Sequence, residues 1–318
     1  MLKVFEKKRG IFRKGSLEEI DSDAVSWLNC YSPTEEEISL ISRKIGLKEE
    51  RLLHFLQDST RPHIINSEHF SAIFFGIIDK KDGKIQRDTI LIFLLPNNNI
   101  LTLSRNETTL LNDLENSILS KEINASTQSN FVYNITNSVI EEMSLLLENI
   151  AEQINSIEEE VIKRPERSQI SKLFGIKRQI IDLHKTAIAN REVVSSVEKG
   201  YCKMISEKEA SEFRFLYNDL FQLIDTSETY RDLAIGITEI YLSTISNMLN
   251  NTIKKMTAWG SLILIPTLIA SIYGMNFQKV SEWSMPELYW EYGYVFALGL
   301  IILSMVSLYI YFKTKKWL

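Results

Sequence analysis

The residues best placed to do chemistry stand near the carboxyl end, where the chain reads Tyr273-Gly274-Met275-Asn276-Phe277 directly after an uncharged run. Gly274 can take the left-handed conformation that ends a helix and lets the chain turn. Asn276 would then offer a neutral amide oxygen at the end of the span. A ring of such oxygens hydrogen-bonds the water around a dication without stripping or trapping the ion. As a helix cap alone, Gly-x-Asn is common and means little.

Behind this run the small and polar residues are ordered. Thr257, Gly260, Leu264, Thr267, Ser271 and Gly274 recur at steps of 3, 4, 3, 4 and 3. That is a 3.5-residue repeat on one helix face, which a left-handed bundle keeps pointed inward. Toward the amino end the same face carries Ile253 and Asn250, with Met256 beside it. A pore lining and a small-residue packing face both fit this pattern. The stripe has no acidic residue, so a conducted Mg²⁺ would keep most of its water, in line with its reluctance to dehydrate. Ile253, Met256 and Leu264 repeated around an axis would close such a path by dewetting.

The element that must carry the stripe is a membrane-spanning helix. Thr257 to Tyr273 and Gly293 to Phe312 contain no charged residue. Each approaches the roughly 20 residues a helix needs to cross a bilayer. Lys254 and Lys255 precede the first, and Lys313, Lys315 and Lys316 follow the second. Between them Lys279 is outnumbered by Glu282, Glu287 and Glu291. The basic ends therefore belong in the cytoplasm and the short acidic loop outside. Trp283, Tyr289, Trp290 and Tyr292 suit the outer aromatic belt, and Trp317 the inner one. Two helices cannot enclose a water-filled path, so conduction requires an oligomer.

The rest reads as a cytoplasmic support. Residues 1–125 form an α/β domain with strands at Ser71–Asp79, Thr89–Leu95 and Ile100–Ser104. Its helices fall at Thr34–Lys44, with Thr34 and Glu37 as a capping box, and at Glu107–Leu119. Residues 126–205 are helical, with Asn130–Lys163 and Gln169–Lys199 joined at Pro165. A third pattern starts near Ser206 and meets no proline until Pro266. Run unbroken into the first span, it would be about 68 residues, or on the order of 100 Å. Phe213, Leu216, Leu220, Leu223, Tyr230, Leu233, Ile237, Ile240 and Ile245 make a coiled-coil-like seam, as for a stalk packed against copies of itself. The segments are thus 1–125, 126–205, stalk 206–256, span 257–274, loop 275–292, span 293–312 and tail 313–318.

Composition bounds the rest. The chain has 318 residues, 24% of them charged, and a net charge of −5, which argues against nucleic acid as a partner. No glycine-rich phosphate loop, nucleophile elbow or metal-ligand spacing of His54, His63, His69 and His184 appears, so no enzyme and no cofactor is expected. His63 and His69 read as surface residues at a strand start. Cys30 and Cys202 have no partner motif and read as reduced thiols. Met1 to Gly15 is basic without an apolar core, so no signal peptide is expected there.

With these residues in view, the chain resembles the CorA family of magnesium transporters. The resemblance rests on Tyr273 to Phe277, Met285-Pro286-Glu287-Leu288, the closing Lys315-Lys316-Trp317-Leu318, Pro266-Thr267, and the Asn250 to Thr257 stretch. It is specific over about residues 206–318 and loose elsewhere. It implies an α+β cytoplasmic domain, a long stalk helix and two transmembrane helices, assembled as a funnel-shaped homopentamer in the cell membrane. It implies transport of Mg²⁺, with Co²⁺ and Ni²⁺ as passengers, driven by the electrochemical gradient. By position, Gly274, Met275 and Asn276 match the selectivity motif. Asn250, Ile253, Met256, Gly260, Leu264 and Thr267 match the pore and gate, and Glu287 the loop acid that gathers cations. Another dication such as Zn²⁺, or a non-conducting membrane scaffold, stays open beside this reading.

Two departures stand out. The segment between Phe277 and Met285 is longer than usual for the family. Phe215 occupies the position where other members place an aspartate for a regulatory Mg²⁺ between subunits. Asp219, Asp225 and Glu228 are the nearby candidates for a displaced regulatory site.

Overall fold

The computed structural model describes residues 1–8, 11–15, 26–57, 61–81, 84–96, 98–120, 127–275 and 285–318. By compactness the chain divides into two units, Met1–Glu160 with Glu166–Ile237, and Val161–Pro165 with Thr238–Leu318.

The first unit is built on a seven-stranded sheet in the order β2-β1-β3-β7-β6-β5-β4. Its strands are β1 (Leu2–Lys8), β2 (Ile11–Lys14), β3 (Ser26–Tyr31), β4 (Ile64–Asn66), β5 (Ser71–Lys81), β6 (Lys84–Leu94) and β7 (Asn99–Ser104). Among the described strands β3 and β7 pair in parallel, and the other pairs are antiparallel. The strands are apolar on both faces because both faces are covered. On β6, Leu91 and Phe93 join a cluster with Ile38, Ile41 and Leu52 from helices α1 (Glu35–Ile45) and α2 (Glu49–Gln57). Ile90, Ile92 and Leu94 point the other way. Their cluster includes α3 (Thr109–Leu119), α4 (Gln128–Lys163), α5 (Arg167–Glu198), α6 (Glu207–Ala210) and the start of α7 (Phe213–Tyr273).

The predicted capping box forms. The Thr34 hydroxyl accepts from the Glu37 N–H at 3.3 Å, and the Glu37 carboxylate accepts from the Thr34 N–H at 2.9 Å. Both cysteines are buried and free, and burial pushes the Cys30 thiol up to about 12, so it stays protonated. His63 is half-buried rather than a loose surface residue, because its ring stacks on Phe74 at 4.2 Å.

A buried amide completes the sheet. β4 pairs with β5 only as far as Ile73, so beyond that point no strand among the described residues lies along the outer edge of β5. At Gly76, fully buried Asn190 of α5 takes the strand's place. It accepts from the Gly76 N–H at 2.8 Å and donates to the Gly76 carbonyl at 2.7 Å. A Cβ at Gly76 would come within 2.9 Å of the Thr186 side chain, so the helix sits this close only against glycine.

The first part of the seam expected to pack against other copies packs within the chain instead. Phe213, Leu216, Leu220 and Leu223 belong to the core beneath the sheet and Tyr230 packs against it, whereas Leu233 further along is exposed. A heptad-like spacing shows that a face is buried, not what buries it. The long helix also starts later than the pattern suggested. Ser206 caps the short α6, the chain turns at Ser211–Glu212, and α7 then runs 61 residues through Pro266. The turn lets both Ala210 and Phe213 reach the core.

Glu142 gives this unit a pH dependence. Burial, then the charges of Asp79 and Asp113, raise its carboxyl to about 7. A raised acid favours folding while protonated, so its contribution is full below about pH 4.5 and is lost as the pH rises through about 7. Glu142→Gln should therefore flatten the fall in melting temperature between about pH 5 and pH 8, by a few degrees. Thermal unfolding of the full-length protein followed by tryptophan fluorescence measures this, and identical slopes would rule out Glu142 as the source.

Candidate ion pathway and its outer mouth

The second unit holds the apolar part of α7 and helix α8 (Gly293–Thr314). Both are long and apolar enough to cross a membrane. Only 11% and 6% of their apolar windows are buried, which is unlike the core helix of a soluble protein.

What burial there is defines one face on each helix. On α7, Ala258 and Leu262 are buried, and Ile265, Ile269 and Tyr273 are half-buried. On α8, Gly293 and Phe312 are buried, and Ala297, Ile301, Ser304 and Leu308 are half-buried. Both sets step by three and four residues, as the facing sides of a helix hairpin do. At 100° per residue the Thr257–Gly274 stripe lies roughly 180° around α7 from this face. Thr257, Gly260, Leu264, Thr267, Ser271 and Gly274 are all exposed, as are Asn250, Ile253 and Met256. The small-residue stripe is therefore not what α7 uses against its own second span.

The helix does not end as Gly274 alone suggested. Gly274 is not in the left-handed region, where only Gly46 and Gly200 lie among the described glycines. Its N–H donates to Ala270 O at 2.9 Å, and Met275 N–H donates to Ile272 O at 3.2 Å. The last turn tightens to the three-residue spacing, which satisfies the terminal carbonyls without a left-handed residue. Asn276, with 277–284, lies outside the described residues, as do Lys279, Glu282 and Trp283.

Past them a compact bracket forms. Met285 is left-handed at φ 37°, Pro286 fixes the next residue, and Pro286–Tyr289 makes one 3-10 turn. Glu287 of that turn is half-buried, and its carboxylate lies 3.5 Å from the Tyr273 hydroxyl at the end of the striped helix. The Glu287 carbonyl rests directly on Gly293, where any Cβ would overlap it. Sequence reasoning found Tyr273 and Glu287 separately but missed Gly293. A glycine between two tyrosines at the first position of a span was the available signal.

The regulatory candidates do not converge within one chain. Asp219, Asp225 and Glu228 are exposed. Asp225 and Glu228 lie about 120° and 180° around α7 from Asp219. Glu228 instead faces His184 Nε2 at 3.6 Å, and His184 Nδ1 lies 2.9 Å from Ser227 Oγ. Among the described residues no three His, Cys, Asp or Glu side chains are grouped to hold a metal. Phe215 is 67% exposed on the same helix.

The chain joins a covered α/β domain to one long helix and a second helix, both long and apolar enough to cross a membrane. The family model described as CorA-like Mg²⁺ transporter protein matches residues 22–315, and the chain belongs to that family. The cobalt/magnesium transport protein CorA of Methanocaldococcus jannaschii is 27% identical over 97% of this chain and 98% of its own length. Its namesake from Thermotoga maritima is 36% identical over 59% of this chain, and there the chain spans only 52% of the relative. The complete structure of the CorA magnesium transporter from M. jannaschii superposes with a TM-score of 0.87, covering 100% of this chain and 99% of that one at 23% identity. The full-length CmaX protein follows with a TM-score of 0.76 and 18% identity, covering 99% and 97%.

Proposed function

We propose that the chain is one subunit of a homopentameric channel that carries Mg²⁺ across the cell membrane down its electrochemical gradient. The observation that carries this reading is the exposed polar stripe on α7, opposite the face turned to α8. A ring of such helices lines a path with Thr, Ser and Gly, and each α8 forms the outer wall. Membership in the CorA-like Mg²⁺ transporter family supports the cargo. Relatives named for cobalt as well as magnesium support Co²⁺ as a second passenger of the same path.

The lysines at the free ends of the hairpin put both termini in the cytoplasm and the Tyr273–Gly293 end outside. Glu287 gathers dications at the mouth, and Gly274, Met275 and Asn276 meet the hydrated ion there. Its waters hydrogen-bond the Asn276 amides and then the Thr267, Gly260 and Asn250 positions. The Thr267 hydroxyl donates backward to Ile263 O at 2.7 Å, which leaves its lone pairs for water in the path. Ile253, Met256 and Leu264 bring apolar rings that exclude water when the bundle is tight. Asp219, Asp225 and Glu228 hold a regulatory Mg²⁺ only by pairing with groups of a neighbouring subunit.

The test is Mg²⁺ entry into liposomes containing the full-length protein, followed with an internal dye. Asn276→Ala should lower entry about tenfold or more, and a stable hexa-ligated cobalt complex added outside should block the unsubstituted protein. Equal entry through both proteins would sink the selectivity assignment. No entry through either would favour a scaffold, and no competition by the complex would mean the ion enters dehydrated.

A further inference from the structure

Five lysines stand at the end of the hairpin opposite Tyr273 and Gly293. Lys254 and Lys255 lie on α7, and Lys313, Lys315 and Lys316 at the end of α8, all exposed. A topology signal needs only that such charges be present. Their directions carry more information. At 100° per residue Lys254 and Lys255 flank the α8-facing side of α7, each within about 60° of its centre. Both lie more than about 100° from the axis of the polar stripe. Lys313 points roughly 150° away from the α7-facing side of α8. Ammonium groups on the stripe side would repel a dication, and these are turned away from it. Lys313 is turned to the outer side of the hairpin, while Lys254 and Lys255 border the side of α7 that faces α8.

The last two lysines are held at the end of α8 by local structure. Lys316 is left-handed at φ 57°, and Trp317 N–H donates back to Phe312 O at 2.9 Å. The Trp317 ring stacks on buried Phe312 at 5.6 Å. This is the hydrophobic closure that accompanies a left-handed helix stop. It folds Lys315 and Lys316 against the helix end instead of releasing them as a loose tail. Lys313 Nζ lies 5.6 Å above the Tyr309 ring. Trp259, Tyr309 and Tyr311 are exposed close by in sequence, the residue types that settle at headgroup depth. No Asp or Glu occurs from Ile240 to Tyr273 or from Tyr292 to Leu318, so neither helix supplies a carboxylate to neutralise the cluster.

We infer that these lysines bind the phosphates of anionic phospholipids in the inner leaflet, Lys254 and Lys255 from α7 and Lys313, Lys315 and Lys316 from the end of α8. The choice of leaflet rests on the orientation proposed above; the binding chemistry does not. Attraction between a basic cluster and anionic headgroups grows with each lysine and decays within a Debye length.

The test uses the full-length protein in neutral detergent micelles, titrated with dansyl-labelled phosphatidylglycerol or phosphatidylcholine, and reads energy transfer from tryptophan. Phosphatidylglycerol should half-saturate at about tenfold lower concentration than phosphatidylcholine. The substitutions K313Q/K315Q/K316Q, and separately K254Q/K255Q, should raise that concentration about tenfold, while the matching arginine variants should not. Equal binding of the two lipids by the unsubstituted protein would overturn the proposal, as would unchanged binding by the glutamine variants. Displacement of the lipid by millimolar inorganic phosphate would assign the site to a soluble phosphate and overturn the lipid. Mg²⁺ entry measured on the same preparations keeps the readings apart, since loss of transport with lipid binding intact would strike only the channel.

Discussion

Gly293→Ala should abolish most Mg²⁺ entry, by about tenfold or more, while Gly299→Ala on the same helix leaves it unchanged. The two glycines differ in surroundings rather than in helix context. A Cβ at Gly299 meets nothing within 4 Å, whereas one at Gly293 would overlap the Glu287 carbonyl oxygen. The atom in the way is backbone, so no rotamer change relieves the overlap. Either the first turn of α8 or the 3-10 turn must move. The turn is tied at both ends, since Trp290 N–H donates to Glu287 O at 3.4 Å and Gly293 N–H donates to Trp290 O at 3.0 Å. Displacing it would carry the Glu287 carboxylate away from the Tyr273 hydroxyl and the end of the striped helix. Liposome flux at low and saturating Mg²⁺ checks the expectation. Matching behaviour of the two variants would show that the bracket has no part in conduction. A normal melting temperature for Gly293→Ala would confine the defect to the mouth.

Asn190→Ala should be strongly destabilising to the first unit. It leaves the Gly76 N–H and carbonyl without partners inside a closed helix–sheet interface. Each buried polar group left unpaired costs about 1–3 kcal/mol, so the pair together costs on the order of 2–5 kcal/mol. For a unit of this size that is a fall of about 5–15 °C in melting temperature. Asn190→Asp keeps the acceptor for the Gly76 N–H but sets a second carboxylate oxygen against the Gly76 carbonyl and buries a charge, so a loss at least as large is expected. Thermal unfolding of the three full-length proteins checks the order. An Asn190→Ala protein as stable as the parent would mean that water or a shifted strand completes the edge of β5.

These two residues also show where reading the chain alone stops. The apolar spans, the strands at Ser71, Thr89 and Ile100, and the Thr34–Glu37 cap were legible because each is written in neighbouring residues. Asn190 and Gly76 are 114 positions apart, and nothing near either announces the other. The Phe213–Leu223 seam was legible as a buried face, yet its partner was misjudged, since period carries no address. The Thr257–Gly274 stripe fits a pore lining and a packing face alike, and the structure adds that the α8-facing side of α7 is the opposite one. Gly274 was expected to be left-handed from residue type, but tightening of the last turn satisfied the same carbonyls. Tyr273 and Glu287 were each singled out, while the glycine that seats the Glu287 carbonyl was not.

One feature of α7 bears on how the protein is made. The helix that supplies Phe213, Leu216 and Leu220 to the core under the sheet is the same helix that carries the first span, and fewer than 40 residues separate Leu220 from Thr257. At about 5–20 residues per second, synthesis crosses that interval in roughly 2–8 s. The β3–β7 pair can form early, since all seven strands are complete by Ser104. α3, α4 and α5 cover the face beneath them as they emerge, but the cover is complete only once Phe213, Leu216 and Leu220 follow, when the apolar run is only seconds behind. Completion of the soluble core and delivery of the nascent chain to the bilayer are therefore nearly simultaneous. A chain stalled just past residue 200 would already carry α3, α4 and α5 but would lack Phe213, Leu216 and Leu220, leaving that part of the core open and a natural target for chaperones.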